Sequence, residues 1–114
     1  MAIAAFISPY RASRAKARAI IGRNRFLEVY LNAPIAVCEQ RDPKGLYRRA
    51  RAGAIANFTG VDAPFEPPPA PDLVLDTAAL DIAACLRNIV ELLERKGWLR
   101  REIRRKARRS GGAA

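Results

Sequence analysis

The fold is decided by the stretch Arg25-Phe26-Leu27-Glu28-Val29-Tyr30-Leu31. Its β-branched and aromatic residues, bounded by Asn24 and Asn32, predict a β-strand. Pro34 suits a first helical turn and begins a predicted helix that runs to about Gln40. A strand followed at once by a helix is the unit from which parallel sheets with crossover helices are built.

A second such unit precedes it. Met1–Phe6 is a short apolar run that predicts a buried parallel strand, and Ile7–Tyr10 predicts the turn that ends it. Arg11–Ile21 is rich in Ala and Arg and predicts a helix, with Gly22 as its stop. Two units in succession indicate an α/β fold. Ligands of such folds lie beyond the carboxyl ends of the strands, where Ile7–Tyr10 and the segment after Leu31 are placed.

A basic, glycine-punctuated segment follows at residues 42–62. Gly45, Gly53 and Gly60 divide it, which predicts a short helix between hinges, the pattern of a mobile lid. We call residues 42–62 the lid segment.

The remaining elements are an extended stretch, a strand and a helix. Pro64–Pro71 holds five prolines and predicts an extended segment. Leu73–Thr77 predicts a short strand, and Asp81–Lys96 an amphipathic helix that ends at Gly97. Its apolar side is predicted to comprise Ile82, Cys85, Leu86, Ile89, Leu92 and Leu93.

The formal net charge of +10 is concentrated near the C-terminus. Residues 95–109 contain nine Lys or Arg and one acidic residue, a net charge of +8. Residues 98–114 are therefore predicted to be a basic, flexible tail. Binding of nucleic acid or an acidic surface by this tail stays an alternative, because basic segments bind phosphate-rich partners. The rest of the chain does not favour nucleic-acid binding.

The chain has two cysteines and no histidine. Cys38 and Cys85 lie within amphipathic patterns and are predicted to be core residues, so neither a disulfide framework nor a Cys/His metal site is expected. Catalysis that depends on a histidine is excluded. The sequence shows no long apolar run and no signal-peptide pattern, which predicts a soluble, cytoplasmic protein.

Four collinear motifs carry a resemblance to a known family. They are Phe6-Ile7-Ser8-Pro9-Tyr10-Arg11, the run from Cys38 to Tyr47 (CEQRDPKGLY), Ala50-Arg51-Ala52-Gly53, and Asn57-Phe58-Thr59-Gly60. With matching gaps from about Ala5 to about Leu93, the chain resembles adenylylsulfate kinase.

The resemblance implies transfer of the γ-phosphoryl group of ATP to the 3′-hydroxyl of adenosine 5′-phosphosulfate, with Mg²⁺ required. It also implies an α/β fold: an incomplete P-loop-kinase-like parallel sheet with crossover helices, the lid segment and a C-terminal amphipathic helix. Residues 1–97 are accordingly expected to be a truncated kinase domain, followed by the tail.

No G-x-x-x-x-G-K-[ST] phosphate loop is present, since none of the seven glycines is followed by Lys. We therefore expect activity only if another polypeptide supplies that loop. The alternative is a non-catalytic remnant of a truncated or split kinase that binds adenylylsulfate weakly at most. An uncovered sheet edge and face would leave such a chain marginally stable, or bound to a partner or to further copies of itself.

The resemblance assigns Ile7 and Ser8 to the turn that contacts adenylylsulfate. The family description gives the matching serine as a phosphoserine intermediate. Direct in-line transfer leaves Ser8 the role of orienting substrate, and a helix-capping role also remains open.

The lid segment contributes three further matched positions. Lys44 matches a lysine that approaches substrate, where a cation meets phosphosulfate charge, although a solvated turn lysine has the same pattern. Asn57 and Phe58 match a pair that touches substrate. The Phe58 ring either stacks on adenine or anchors its loop.

Two further sets of positions lie on the helix of the lid segment and near the C-terminal helix. Arg48, Arg49 and Arg51 are predicted to form a basic face of the lid segment that screens phosphate charge, or simply a solvated helix face. Leu80 and Cys85 match positions that line the adenine pocket for ATP, and both also suit an apolar core.

Overall fold

A computed structural model describes residues 1–100, which divide into a first unit, residues 1–78, and a second unit that begins at Ala79. Each unit is described by itself. A 3₁₀ turn at Arg23–Arg25 accompanies six regular elements, namely α1 (Arg11–Ile21), β1 (Val29–Asn32), α2 (Ile35–Arg41), α3 (Leu46–Arg51), β2 (Leu73–Asp76) and α4 (Ile82–Arg95).

β1 and β2 form a parallel two-stranded sheet, with Val29 opposite Leu73 and Asn32 opposite Asp76. Parallel neighbours need a crossover connection, and α2 and α3 lie in it. Leu75 in β2 is fully buried. The predicted α/β class with a small parallel sheet is confirmed, although β1 begins at Val29 rather than Arg25.

Asp72 joins three elements of this first unit. Its carboxylate accepts a hydrogen bond from the Glu28 amide at 2.7 Å and from Arg18 Nη2 at 3.0 Å. Its own amide donates to the Glu28 carbonyl at 2.9 Å. Asp72 therefore fixes α1 and the start of β2 against the residue that enters β1.

Local sequence signals explain where the helices begin and end. α1 ends at Gly22, whose φ of 102° is one that glycine adopts without a Cβ clash. α2 begins after Pro34, and Gly45 precedes α3 in the left-handed region with φ 68°. The predicted helices of the first unit are thus confirmed to within a residue or two.

The predicted first strand is wrong. Met1–Phe6 has no regular secondary structure, and the side chain of Phe6 is 84% exposed. A buried strand needs a hydrogen-bonded neighbour and cover on its faces, and the described residues give this segment neither. Its apolar side chains, including Ile3, lie in solvent instead.

In the second unit, Asp81 caps α4 by accepting a hydrogen bond from the Ala84 amide at 2.7 Å. Leu92 is buried, as predicted, but Ile82 is 88% exposed and Leu86 is also exposed. The apolar pattern therefore predicts the helix correctly and overestimates how much of its apolar side is covered in the described chain.

The prediction that both cysteines are core residues is also too strong. Cys38 and Cys85 are free thiols of intermediate exposure. None of the helices within residues 1–100 is long and apolar enough to cross a membrane. The predicted basic tail lies almost entirely outside the described residues.

Candidate functional site

The first unit builds two local clusters around the residues matched in the sequence. One surrounds Ser8 at the start of α1, and the other occupies the lid segment. Leu80 and Cys85 belong to the second unit, where both are of intermediate exposure.

Ile7 and Ser8 lie in an exposed turn, with Ser8 at φ 40°. This left-handed conformation is uncommon for a non-glycine residue and is retained only where the surroundings hold it. The Ser8 carbonyl accepts a hydrogen bond from Arg14 Nη1 at 2.7 Å. The conformation of the turn is therefore tied to a side chain of α1.

The proposed capping role for Ser8 is not seen. The N-cap residue of α1 is Tyr10, and its side chain makes no capping hydrogen bond. The first helical amide, that of Arg11, donates instead to Glu66 Oε1 at 2.8 Å. A distant residue of the proline-rich stretch thus satisfies a donor that local capping residues usually satisfy.

In the lid segment, Asp62 organises the turn that carries Asn57 and Phe58. Its two carboxylate oxygens accept hydrogen bonds from the Asn57 amide at 2.8 Å and from the Phe58 amide. The Phe58 carbonyl accepts from the amides of residues 61, 62 and 63. Asn57 has φ 55°, which asparagine tolerates better than most residues, and its side chain is exposed.

The Phe58 ring is half-buried and packs edge-on against Tyr47, with ring centroids 4.9 Å apart and planes at 74°. This is a favourable aromatic geometry. Loop anchoring and presentation of one ring face are therefore compatible for Phe58.

Asp42 stabilises the start of α3 by accepting from backbone amides, as Asp62 does for the Asn57–Phe58 turn. Its carboxylate accepts from the amides of Tyr47 and Arg48, both at 3.1 Å. Lys44 lies in the turn between Asp42 and α3 with its side chain exposed. This arrangement leaves the Lys44 ammonium group open to an anionic ligand.

One face of α2 supports the lid segment. Arg51 forms an ion pair with Glu39, and Cys38 lies beside Tyr47 as one of the groups that raise its pKa. A Cβ added to Gly60 would lie 2.7 Å from Ile35 Cδ1. Residues 35, 38 and 39 share a face because they are spaced by three and four positions.

Burial raises the pKa of Tyr47, and the neighbouring Cys38, Glu39 and Asp42 raise it further. The proton on Tyr47 is therefore retained more strongly than on a solvated tyrosine.

The basic face is only partly as predicted. Arg48 and Arg49 are exposed on α3, which suits phosphate screening and a solvated face equally. The Arg51 guanidinium is engaged by Glu39 through both Nε, at 3.1 Å, and Nη2.

Sequence reasoning missed Arg14, Tyr47, Asp62 and Glu66. Asp62 carried a usable signal, since Asp commonly hydrogen-bonds nearby backbone amides in turns. Arg14 and Glu66 carried none, because their contact joins positions 52 residues apart.

Comparison with known proteins gives a consistent result. A family model described as "Adenylylsulphate kinase" matches residues 1–76. The adenylyl-sulfate kinase of Halothermothrix orenii is 53% identical over 97 residues, which cover 85% of this chain and 51% of the relative. The bifunctional enzyme NodQ of Azospirillum brasilense is 54% identical over 95 residues, covering 83% of this chain and 15% of NodQ.

Among solved structures, the Mycobacterium tuberculosis APS kinase CysC, in complex with AMPPNP and APS, superposes with a TM-score of 0.74 at 43% identity. The match covers 78% of this chain and 52% of that protein. The chain spans about half the length of the adenylyl-sulfate kinases that it matches. On its sequence and its fold, this chain belongs to the adenylylsulphate kinase family.

Proposed function

We propose that this chain carries the substrate turn and the lid segment of an adenylylsulfate kinase. The reaction is transfer of the γ-phosphoryl group of ATP to the 3′-hydroxyl of adenosine 5′-phosphosulfate, which produces the activated sulfate donor PAPS. The observation that carries this proposal is the Asn57–Phe58 turn. Asp62 and Tyr47 hold it so that Asn57 is exposed and one part of the Phe58 ring is accessible.

Phosphoryl transfer depends mainly on positioning and on charge stabilisation, and the residues of this chain supply parts of both. The Phe58 ring stacks on the adenine of adenylylsulfate, and Asn57 hydrogen-bonds to the substrate. Lys44 faces the phosphosulfate, while Arg48 and Arg49 raise the local positive potential. Ser8, with Ile7, orients the substrate.

The donor set for Mg²⁺ is not found in the described chain. Within residues 1–100 no three Asp, Glu or Cys side chains cluster as metal ligands would. The sequence also lacks the Gly-Lys pair of a phosphate loop. ATP phosphates and Mg²⁺ therefore require a polypeptide that bears such a loop, and Leu80 and Cys85 would contribute only to the adenine side of an ATP site.

Fragment complementation tests this function. The purified chain should bind adenosine 5′-phosphosulfate in isothermal titration calorimetry and should form no PAPS from ATP. Adding the part of the Halothermothrix orenii relative that the match leaves out should restore PAPS formation. Phe58→Ala should abolish both binding and the restored activity, whereas Ile20→Ala, which removes an exposed apolar side chain of α1, should preserve both. Failure of the wild-type chain to bind adenylylsulfate would refute the proposal.

The second candidate is a non-catalytic remnant, favoured by the missing Gly-Lys pair. It predicts weak adenylylsulfate binding at most and no PAPS in any mixture.

Mass spectrometry of the mixture with ATP separates the roles of Ser8. A phosphorylated Ser8 would show the covalent role, and an unmodified chain during turnover would show direct transfer.

A further inference from the structure

The Ser8 turn is held by two residues that sequence matching does not assign to the site. Ser8 has a left-handed backbone conformation that an ordinary residue adopts only at a cost in free energy. Something outside the turn must therefore stabilise it. Arg14 and Glu66 make the contacts that do so.

Arg14 uses its guanidinium group in several directions at once. Nη1 donates to the Ser8 carbonyl at 2.7 Å, and Nη2 donates to the Glu66 carbonyl. Nε lies 3.6 Å from Glu28 Oε2, and the side chains of Arg14 and Glu28 are only 12% and 16% exposed. The guanidinium carbon also lies 5.6 Å from the centroid of the Phe65 ring. Because its donors are already used by these neighbours, the Arg14 guanidinium positions them rather than binding substrate.

Glu66, in the proline-rich stretch, makes the other contacts that hold the Ser8 turn. Its amide donates to the Pro9 carbonyl, and its Oε1 accepts from the Arg11 amide, both at 2.8 Å. Arg11 Nε donates to the neighbouring Pro67 carbonyl, also at 2.8 Å. The backbone on both sides of Tyr10 is therefore bound to one segment distant in sequence.

We propose that Arg14 and Glu66 are positioning residues that fix the Ser8 turn in the conformation that presents Ile7 and Ser8 to adenylylsulfate. This inference rests on the proposed function for its substrate. Its geometric part rests only on the contacts among residues 8–14, Glu28 and residues 65–67.

The test compares Arg14→Gln with Lys16→Gln, which removes an exposed positive charge from the same helix. In the full chain, amide hydrogen exchange measured by NMR should accelerate about tenfold at Arg11 and Glu66 in Arg14→Gln, the effect of losing one charged hydrogen bond. The amides of Asn57 and Phe58 should be unaffected. The dissociation constant for adenylylsulfate should rise about tenfold in Arg14→Gln and should stay unchanged in Lys16→Gln.

Conservative variants provide the second arm. Arg14→Lys keeps the positive charge beside Glu28 but replaces the two separate donor nitrogens Nη1 and Nη2 with a single nitrogen, so its effects should be intermediate. Glu66→Gln keeps an oxygen that accepts from Arg11 and should bind adenylylsulfate nearly as the wild type does. Glu66→Ala should resemble Arg14→Gln.

Each outcome decides a part of the inference. If the Arg11 and Glu66 amides of Arg14→Gln exchange at the same rates as in the wild type, the inference is overturned. Faster exchange throughout the first unit, lid segment included, would reduce Arg14 to a general structural residue and would overturn it too. If the wild-type chain does not bind adenylylsulfate, the proposed function and the substrate part both fail, while exchange still decides whether Arg14 and Glu66 hold the turn.

Discussion

At the scale of single residues, the lid segment depends on aspartates that satisfy backbone amides. Asp62 serves Asn57 and Phe58, and Asp42 serves Tyr47 and Arg48. Each carboxylate replaces two water contacts that an exposed turn would otherwise need. These side chains define the shape of the site without being among the residues expected to touch substrate.

Asp62→Ala should lower the free energy of unfolding by about 1–2 kcal/mol, because two backbone amides lose a charged acceptor. Asp62→Asn retains one oxygen acceptor and should lose about half as much. Urea denaturation followed by circular dichroism measures both values. Equal stability of Asp62→Ala and the wild type would show that the turn holds without the carboxylate.

Tyr47 gives the chain a pH dependence in the alkaline range. Its pKa is raised on folding by burial and by nearby Cys38, Glu39 and Asp42, so the folded state holds the phenolic proton more tightly than the unfolded state. The resulting stability is complete below 10.0, the ordinary pKa of tyrosine, and is lost as pH rises through the higher folded-state pKa. Unfolding free energies measured from pH 8 to 11 should fall less steeply in Tyr47→Phe than in the wild type, and parallel curves would contradict this.

At the scale of elements, Asp72 shows how the helix and the sheet are joined. It connects α1 with the residues at the start of β1 and β2 through one carboxylate. That carboxylate is partly buried, so its contacts are less exposed to solvent than those of the Arg51–Glu39 pair on the surface.

Asp72→Ala should destabilise the chain by about 2–3 kcal/mol, since the ion pair with Arg18 and the part-buried carboxylate that accepts from the Glu28 amide are lost together. Asp72→Asn keeps an acceptor for the Glu28 amide and should cost about 1 kcal/mol. Glu39→Gln, which breaks only the surface pair, should cost less than about 1 kcal/mol. Thermal unfolding of the three variants tests this order, and a Glu39→Gln loss as large as that of Asp72→Ala would reverse it.

The elements also show what sequence patterns predict. α1 follows from its Ala- and Arg-rich composition and from Gly22, and α4 follows from its amphipathic pattern and from Gly97, signals that act within a few residues. Met1–Phe6 has the composition of a strand, but a strand forms only with a neighbour, and composition does not reveal one. The Arg14–Glu66 contact likewise cannot be predicted from sequence patterns, because it depends on how the proline-rich stretch returns to α1. The site positions themselves came from the family resemblance, not from periodicity.

At the scale of the whole molecule, the described chain leaves many large apolar side chains in solvent, among them Met1, Ile3, Phe6, Leu31 and Val74. Exposed apolar side chains of this size favour association, because burying them between copies removes apolar area from water.

Self-association should decrease when this surface becomes polar. The double substitution Ile3→Ser and Phe6→Ser should lower the weight-average mass seen by sedimentation velocity at high concentration, because less apolar area is buried between copies. Ala2→Ser, which changes a small exposed residue nearby, should leave the mass unchanged. A monomeric wild-type chain at every concentration would disprove the expectation.

The attachment of Glu66 to the Ser8 turn limits how far Asp62, the last residue of the lid segment, can move. Only four chain steps separate Asp62 from Glu66, and a fully extended chain spans about 3.6 Å per step, so Asp62 stays within about 14 Å of Glu66. A larger excursion requires Glu66 to leave Pro9 and Arg11 first. Displacement of Asp62 beyond that distance and relaxation of the Ser8 turn would then occur as one event.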